Sequence, residues 1–550
     1  MNLLPKPRSI RPGAGTLASD LARPEVRLGA PGLGPQAYRL AVTPEKAVIE
    51  AGDAAGAFYA RTTLSQLARG GSVPAVTIED SPDFLERGVM LDVSRDKVPT
   101  MATLYRLVDE LASWKINRLQ LYMEHTFAYR AHRDVWANAS PFTGDEIEAL
   151  DAYCRERFIE LVPNQNSFGH MERWLKLPRY APLAEVAEPQ GDYMSLCPID
   201  PRSLSLLAGL YDELLPHFTS RSFNVGCDET IDLGKGRSKE EALRLGVGPV
   251  YLAFLEKIHA LVAARGRRMQ FWGDIVLEHP ELISSLPKDV LALEWGYEAD
   301  HPFDDEGARF ADAGIEYQVV PGTSAWLSLG GRTTNALGNL SAAARAGRAH
   351  GATGMMVTDW GDFGHWQPLP VSYLGLAYGA AVAWGLDANR DLDVPAMLDT
   401  FVFSDGARVM GRVAYDLGEV YRLTGVAVKN ASVLALLLLF PERPLGEGRL
   451  AGLTVEGLER ARAGVDAAIA PLSRARSNRD DAATIAAELD LAAALMRHAC
   501  DRGIARLTGT SQAALGDELR GIIDEYERIW RLRNREGGLV DSVGRLKRLL

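Results

Sequence analysis

An aspartate and a glutamate, Asp228 and Glu229, stand side by side shortly after the apolar run at residues 223–226. Glycoside hydrolysis ordinarily uses two carboxyl groups about 5 Å or about 6.5–9.5 Å apart, flanking the bond. Neighbouring residues of a strand point to opposite faces, so an adjacent pair fits that arrangement poorly. It fits a mechanism in which Glu229 protonates the leaving oxygen, Asp228 orients another group of the sugar, and the substrate supplies the nucleophile. The carbonyl oxygen of a 2-acetamido group can be that nucleophile.

Tryptophans follow several other apolar runs, mixed with carboxylates, amides and histidines. Sugar rings present C–H faces that pack on aromatic side chains, and hydroxyl edges that hydrogen-bond to charged groups. The pattern therefore predicts a carbohydrate pocket, with Arg95 and Asp274 as further polar candidates at the ends of such runs. Four of the chain's ten tryptophans belong to this set, namely Trp272, Trp295, Trp326 and Trp360.

Eight apolar runs of β type alternate with segments of helical periodicity. This alternation predicts a parallel sheet covered by helices, and the count predicts an α/β fold of the (β/α)₈ TIM barrel type. An open doubly wound sheet is the alternative, but no glycine-rich phosphate loop follows the first run. Active sites of such barrels lie at the carboxyl ends of the strands, where the side chains above would meet. The runs are residues 88–93, 118–123, 159–164, 223–226, 269–272, 290–295, 317–320 and 354–358.

The rest of the chain divides into two further regions. Residues 1–83 read as a small accessory α+β domain, residues 84–386 as the catalytic barrel, and residues 387–550 as an α-helical C-terminal region. Helices are predicted in that last region at residues 396–409, 411–423, 453–469, 480–508 and 511–532. The helical region carries no chemical motif, and it can pack on the barrel, form a homodimer contact or reach over the active site.

Composition excludes several classes of function. The net charge is -12, and neither a basic tail nor a run of Lys and Arg occurs, which argues against nucleic-acid or membrane partners. The four cysteines match neither a zinc ribbon nor a disulfide framework, and His125, His170 and His365 form no metal-binding pattern. No signal-peptide core is visible near residue 1, so we expect a cytoplasmic protein.

Four motifs resemble the family 20 β-N-acetylhexosaminidases. They are RGVMLDVSR (87–95), SFGH (167–170), FNVGCDET (223–230) and DWGD (359–362). Upstream, GAFYARTTLSQL (56–67) and VPAVTIEDSPDFLERG (73–88) are similar to that family's accessory domain, so the resemblance covers about residues 1–385. It implies retaining, exo-acting hydrolysis of terminal N-acetylglucosamine or N-acetylgalactosamine through an oxazolinium-type intermediate. It also implies that neither a metal nor a cofactor takes part.

The resemblance assigns roles to individual residues. Glu229 is implied as the acid/base, and Asp228 as the group that holds the acetamido N–H. Arg95 would bind the outer hydroxyls of the sugar. His170 matches the histidine of the family's Gly-His motif, and Asp362 stands where the family usually has Glu. Trp272, Trp295 and Trp360 would form the walls of the pocket.

Three strand ends depart from the family pattern. After the second strand stands YMEHTFAY, in which His125 matches the family's histidine while the paired aspartates are missing. The third strand ends in NQNSFGH, with amides where acids are usual. After the seventh strand stands Trp326 and no tyrosine, so Tyr297 is the candidate donor to the acetamido carbonyl.

These departures leave two other interpretations open. One is a non-catalytic N-acetylhexosamine-binding barrel. The other is a retaining glycosidase with a carboxylate nucleophile, Asp274 or Asp362. Cys227, beside the acid pair, is interpreted as a small buried residue and not as a nucleophile.

Overall fold

The computed structural model describes residues 2–18, 23–187, 194–511 and 513–550. Its strands form two sheets, one of five strands near the N-terminus and one of eight strands that follows it. The strands are β1 (Ser9–Ala18), β2 (Glu25–Leu28), β3 (Tyr38–Val42), β4 (Ala47–Ala51), β5 (Ser72–Asp80), β6 (Glu86–Asp92), β7 (Arg118–Tyr122), β8 (Glu160–Val162), β9 (Ser222–Asn224), β10 (Arg268–Trp272), β11 (Leu291–Trp295), β12 (Tyr317–Val320) and β13 (Gly354–Asp359).

The N-terminal sheet has the strand order β1-β5-β3-β4-β2, with helix α1 (Ala54–Leu67) packed on it. The alternating buried and half-exposed residues of β3 and β4 place one face of the sheet against α1. The helix begins at Asp53, whose side chain accepts a hydrogen bond from the Gly56 N–H. The sequence did not predict β1 and β2, because both are largely exposed and lack an apolar run.

The eight-stranded sheet is parallel and confirms the predicted barrel. Its order is β8-β7-β6-β13-β12-β11-β10-β9. A parallel bridge between Asn164 and Asn224, just past β8 and at the end of β9, joins the two outer strands. The Gln165 N–H also donates to the Asn224 carbonyl oxygen at 3.0 Å, so the barrel closes on itself. Within the described residues, seven helices of ten residues or more accompany the barrel, and the others there are shorter.

The helices that accompany the barrel run from α2 to α12. They are α2 (Met101–Ser113), α3 (Arg133–Trp136), α4 (Gly144–Arg155), α5 (Glu172–Leu175), α6 (Pro201–Leu214), α7 (Lys239–Leu245), α8 (Val247–Ala263), α9 (Asp274–Glu278), α10 (Phe303–Asp312), α11 (Thr333–His350) and α12 (Leu369–Trp384).

The C-terminal region is helical, and its main core is continuous with that of the barrel. The prediction of one helix over residues 396–409 was wrong. The chain turns after Phe401, because the Asp405 carboxylate accepts hydrogen bonds from the N–H groups of Ala407 and Val409. Residue 512, inside the helix predicted at 511–532, lies outside the described residues. The helices are α13 (Leu386–Asn389), α14 (Val394–Phe401), α15 (Met410–Leu417), α16 (Val433–Leu439), α17 (Val455–Ile469), α18 (Ala482–Thr508), α19 (Ala513–Arg533) and α20 (Leu539–Lys547).

A search of the described helices for membrane spans finds no single helix that is both long and apolar enough. One bent pair, Lys239–Leu245 with Val247–Ala263, passes on length and composition alone.

A buried ion pair fixes the N-terminal sheet to the barrel. Lys115, after α2, places its Nζ 3.0 Å from Asp80 Oδ2 and 2.9 Å from the Tyr38 hydroxyl. The side chains of Lys115 and Asp80 are both 0% exposed. The indole N–H of Trp384, from α12, donates to the same Asp80 carboxylate at 2.9 Å. Both members of the charge pair are therefore hydrogen-bonded at the contact between the two sheets.

Candidate active site

A cavity of about 430 Å³ opens at the carboxyl ends of the barrel strands. Its volume lies within the usual range for small-molecule sites. The predicted acid pair and all four predicted tryptophans line it, together with Tyr297, Arg95, His170 and Asp362. The structure thus brings together ten of the twelve predicted site residues around one cavity.

One imidazole connects the two adjacent carboxylates. His170 Nε2 lies 3.2 Å from Asp228 Oδ2 and 3.3 Å from Glu229 Oε2. The Asp228 side chain is 8% exposed, whereas that of Glu229 is 34% exposed and open to the cavity. Asp228 Oδ1 is buried and has no hydrogen-bond partner among the described residues. One carboxylate is therefore held in the wall with a free acceptor oxygen, and the other reaches into the open space.

The charge of His170 follows from this arrangement. Burial alone would lower the pKa of His170, but the Asp228 carboxylate and the hydrogen bonds to both acids raise it well above its ordinary value. The imidazole is therefore a cation at neutral pH, and it balances part of the negative charge of the acid pair.

The backbone around the acid pair is strained. His170, Cys227 and Glu229 have φ angles of 56°, 71° and 45°, in the left-handed region that side chains rarely adopt. Each such residue costs on the order of 1–3 kcal/mol and persists only where the surroundings enforce it. A β-carbon on Gly169 would lie 2.2 Å from the Asp228 carbonyl oxygen, so the glycine of the SFGH motif lets the two strand-end loops touch.

Asp274 supports the acid pair from behind. Its Oδ2 accepts a hydrogen bond from the Glu229 backbone N–H at 3.0 Å, which fixes the conformation of that residue. Burial and the neighbouring Asp228 carboxylate raise the pKa of Asp274 well above its ordinary value. Asp274 does not line the cavity, so the structure gives it a positioning role in place of the predicted contact with the sugar.

Arg95 lines the cavity next to His170, with its Nη2 3.5 Å from His170 Nδ1. Its guanidinium lies 3.3 Å from Asp92 Oδ2 and 3.3 Å from Glu124 Oε1. It also lies over the rings of Tyr122 and Trp360, with centroids at 4.5 Å and 5.1 Å. Although Arg95 opposes the effect, burial raises the pKa of Glu124 to about 7.

Sequence reasoning missed Tyr122 and Glu124 as site residues. Both belong to the run YMEHTFAY, from which only His125 was predicted as a site residue. The alternation of side chains along β7 was a usable signal, because Tyr122 and Glu124 are two positions apart and share a face. The Tyr122 hydroxyl donates to Glu124 Oε1 at 3.0 Å, which orients the carboxylate toward Arg95.

His125 points elsewhere. It is buried and lines a neighbouring cavity of about 280 Å³, which also borders Asp96, Arg173 and Lys176. Burial lowers the pKa of His125 to about 3, so the ring is neutral. The structure does not place His125 against the sugar pocket, because its neighbour Glu124 takes the inward-facing position.

Aromatic rings form another part of the cavity wall. Trp295 stacks on Tyr297 with ring centroids 5.1 Å apart, and Trp326 meets Tyr297 edge-on at 5.0 Å. The indole N–H of Trp360 donates to the Tyr297 hydroxyl at 2.7 Å. The hydroxyl oxygen accepts from Trp360, and the Thr358 side chain is a second hydrogen-bond partner of the same hydroxyl. Its proton can also be donated to a ligand acceptor in the cavity.

Asp362 lines the cavity beside Arg95. Burial raises the pKa of Asp362 to about 6, although the charge of Arg95 opposes this. Two residues of the C-terminal region, Asn430 and Arg545, also line the cavity, so this region does reach over the site. No local sequence signal marked either of them.

Two groups of side chains among the described residues are close enough to hold a cation. One is His170 with the acid pair, and the other is Glu294, His301 and Glu306, outside the cavity.

Comparison with known proteins agrees with this geometry. The model of the glycosyl hydrolase family 20 catalytic domain matches residues 84–371, and the model of domain 2 of the same family matches residues 17–81. The first match covers more than half of the chain and contains ten predicted residues of the pocket.

Two curated relatives share little more than a quarter of their aligned residues with this chain. A beta-hexosaminidase from Akkermansia muciniphila is 28% identical over 46% of this chain and 58% of its own length. Hexosaminidase D from Homo sapiens is 27% identical over 40% of this chain and 46% of its own length. The alignments thus span about half the length of these curated relatives.

Among solved structures, the chitobiase of Flavobacterium johnsoniae is 15% identical with a TM-score of 0.61. The similarity covers 100% of this chain and 98% of that one, and at this identity it supports the fold alone. The fold is therefore that of known barrels, and the family assignment depends on the matched models and the site residues. On both grounds, the chain belongs to glycosyl hydrolase family 20.

Proposed function

We propose that this protein is an exo-acting, retaining β-N-acetylhexosaminidase that removes terminal N-acetylglucosamine or N-acetylgalactosamine by substrate-assisted catalysis. The observation that carries the proposal is the asymmetry of the acid pair. Glu229 is open to the cavity, and Asp228 keeps one buried oxygen without a partner among the described residues.

Glu229 acts first as a general acid. Its carboxyl group donates a proton to the glycosidic oxygen as the bond to the anomeric carbon breaks. The acetamido carbonyl oxygen attacks that carbon from the other side and forms the bicyclic oxazolinium. Water then attacks with Glu229 as general base, and the two inversions together retain the configuration.

Asp228 and Tyr297 hold the nucleophilic group. The free Asp228 oxygen accepts the acetamido N–H and stabilises the positive charge that develops on the nitrogen. The Tyr297 hydroxyl, which accepts from Trp360, donates its own proton to the acetamido oxygen. Tyr297 thereby takes over the role of the tyrosine missing after β12.

A carboxylate nucleophile is less well supported. Asp274 is hydrogen-bonded to the Glu229 backbone and does not line the cavity. Burial and the neighbouring Asp228 carboxylate raise the pKa of Asp274, which disfavours the anionic form that a nucleophile needs. Asp362 lies beside Arg95, on the side of the pocket assigned to the outer hydroxyls.

The acid role is tested by comparing Glu229→Gln with the wild type on two leaving groups. A 4-nitrophenolate is a good leaving group and departs largely without protonation, whereas an alkoxide such as methoxide must be protonated as it leaves. We expect kcat/KM to fall about 10²–10⁴-fold on the alkyl glycoside and clearly less on the nitrophenyl glycoside. Glu256→Gln, on the exposed face of α8, is the control. An equal loss on both substrates, or none, would contradict the assignment.

A further inference from the structure

A second cluster of polar side chains lies behind the strand that carries Trp295. Glu294 precedes Trp295 in β11 and therefore points away from the pocket, toward α10. There it meets His301, in the loop after β11, and Glu306 in α10. The Glu294 side chain is 0% exposed, and those of the other two are about one-fifth exposed.

The three side chains converge on a single point. His301 Nε2 lies 3.2 Å from Glu294 Oε1 and 3.1 Å from Glu306 Oε2. One donor atom from each residue lies within 4.8 Å of the other two. The imidazole packs directly on Gly296, where a β-carbon would come within 2.1 Å of the ring, so the glycine leaves room for His301. A single N–H can donate well to only one of the two carboxylates.

Buried polar atoms beside the cluster lack partners. Glu294 Oε2 and the Tyr317 hydroxyl are both buried, and neither has a hydrogen-bond partner among the described residues. The Tyr317 hydroxyl lies 2.7 Å from the position of a β-carbon on Gly307, next to Glu306. Orphaned buried carboxylate and hydroxyl oxygens are costly, and in native proteins they point to an ion or a water.

We propose that Glu294, His301 and Glu306 bind one divalent transition-metal cation, of which Zn²⁺ is the probe. In protein zinc sites, nitrogen and oxygen ligand atoms lie about 2.0–2.2 Å from Zn²⁺. Two such ligand atoms in neighbouring coordination positions are therefore about 3.1–3.5 Å apart. The observed 3.1 Å and 3.2 Å between donor atoms match that spacing. One imidazole and two carboxylates form a mixed N/O ligand set that suits Zn²⁺, and the charge of the cation balances the two acids.

The cation is structural in this proposal. It ties the end of β11 to α10 and to the loop between them, and it lies on the far side of Trp295 from the pocket. The inference does not depend on the proposed hydrolase activity.

Calorimetric titration of chelator-treated protein with Zn²⁺ tests the site. We expect one tight site per chain, a rise in Tm on addition of Zn²⁺, and at least tenfold weaker binding in His301→Gln and Glu306→Gln. His259→Gln is the matched control, because His259 pairs with a single carboxylate, Asp289, at 3.0 Å. It should bind Zn²⁺ like the wild type.

Glu229→Gln separates this site from the histidine and acid pair of the pocket, and it should also bind like the wild type. The Glu306 side chain is partly exposed and Glu306→Gln is conservative, so this variant should fold and test the contribution of Glu306 to Zn²⁺ binding even if His301→Gln folds poorly. Absence of a stoichiometric site, or a site lost in Glu229→Gln and kept in Glu306→Gln, would overturn the proposal.

Discussion

His170 holds a central place among the side chains of the site, because one nitrogen contacts both acids. Its positive charge keeps the Asp228 carboxylate oriented and leaves the other Asp228 oxygen for the substrate. The same nitrogen approaches Glu229, which in the proposed mechanism exchanges a proton in each half of the reaction. Removing the imidazole should therefore slow catalysis more than it weakens binding.

His170→Asn tests this role. The loss of a charge-assisted hydrogen bond is worth about 1.5–3 kcal/mol, which predicts a roughly ten- to hundred-fold fall in kcat with a smaller change in KM. Steady-state kinetics on a nitrophenyl N-acetylglucosaminide measure both. A variant with unchanged kcat would show that the contacts of His170 with the acids are only structural.

Asp362 should make substrate binding depend on pH. Its pKa of about 6 means that the carboxyl is ionised above pH 6 and becomes neutral as the pH falls below it. The neutral form is a weaker acceptor for sugar hydroxyls, so KM should rise below about pH 6.

In Asp362→Asn, KM at pH 7.5 should be about tenfold higher, corresponding to about 1.4 kcal/mol of lost hydrogen bonding. The variant should also lack the rise of KM below pH 6. Identical KM profiles for variant and wild type would contradict the role of this carboxylate.

At the scale of elements, the barrel strands were predicted within a few residues. Continuous apolar runs bounded by polar residues are a strong signal for buried parallel strands. The aromatic walls and the acid pair of the pocket could be predicted as well, because these residues stand at the ends of the predicted strands.

The remaining elements and site residues have no local sequence pattern that predicts them. Strand β1 is mostly exposed and contains Pro12 and two glycines, so no alternation of apolar residues marks it. Asn430 and Arg545 reach the cavity through the packing of the helical region on the barrel, which no motif near them records. The inward direction of Glu124 in place of His125 depends on where β7 ends, and sequence patterns place strand ends poorly.

The contact between the loops after β8 and β9 gives a prediction at this scale. In Gly169→Ala, the new methyl group would lie 2.2 Å from the Asp228 carbonyl oxygen, so one loop must move. A displacement of about 1 Å at the acid pair predicts a loss of about 10²-fold in kcat/KM.

Gly209→Ala is the matched control, because a β-carbon at that position in α6 meets nothing within 4 Å. It should keep full activity and be slightly more stable, by about 0.5–1 kcal/mol. An active Gly169→Ala would show that the loops can separate without disturbing the acids.

On the scale of the whole molecule, the three regions act as one framework around the cavity. The family models match residues 17–81 and 84–371, whereas the helices beyond them contribute Asn430 and Arg545 to the wall. None of the described residues of the N-terminal sheet lines the pocket, and the sheet is fixed to the barrel through the buried Lys115–Asp80 pair.

That pair predicts a stability effect. Lys115→Met leaves the Asp80 carboxylate buried without its cation, which should destabilise the protein by about 3–5 kcal/mol. Lys115→Met combined with Asp80→Asn should recover part of the loss, since the carboxylate that lacks Lys115 is neutralised, while the buried Arg87 guanidinium loses its attraction to Asp80. Thermal and urea unfolding measure both, with Lys257→Met on the exposed face of α8 as the control. A double variant no more stable than the single one would contradict this explanation.

The central claim, that the substrate supplies its own nucleophile, is tested most directly by two chromogenic glycosides that differ only at C2. The 4-nitrophenyl β-glycosides of N-acetylglucosamine and of glucose share leaving group and ring configuration. The account predicts hydrolysis of the acetamido sugar, and a kcat/KM at least about 10³-fold lower for the 2-hydroxy analogue, which has no internal nucleophile. Comparable rates on the two substrates would show that hydrolysis does not need the acetamido group and would contradict the account.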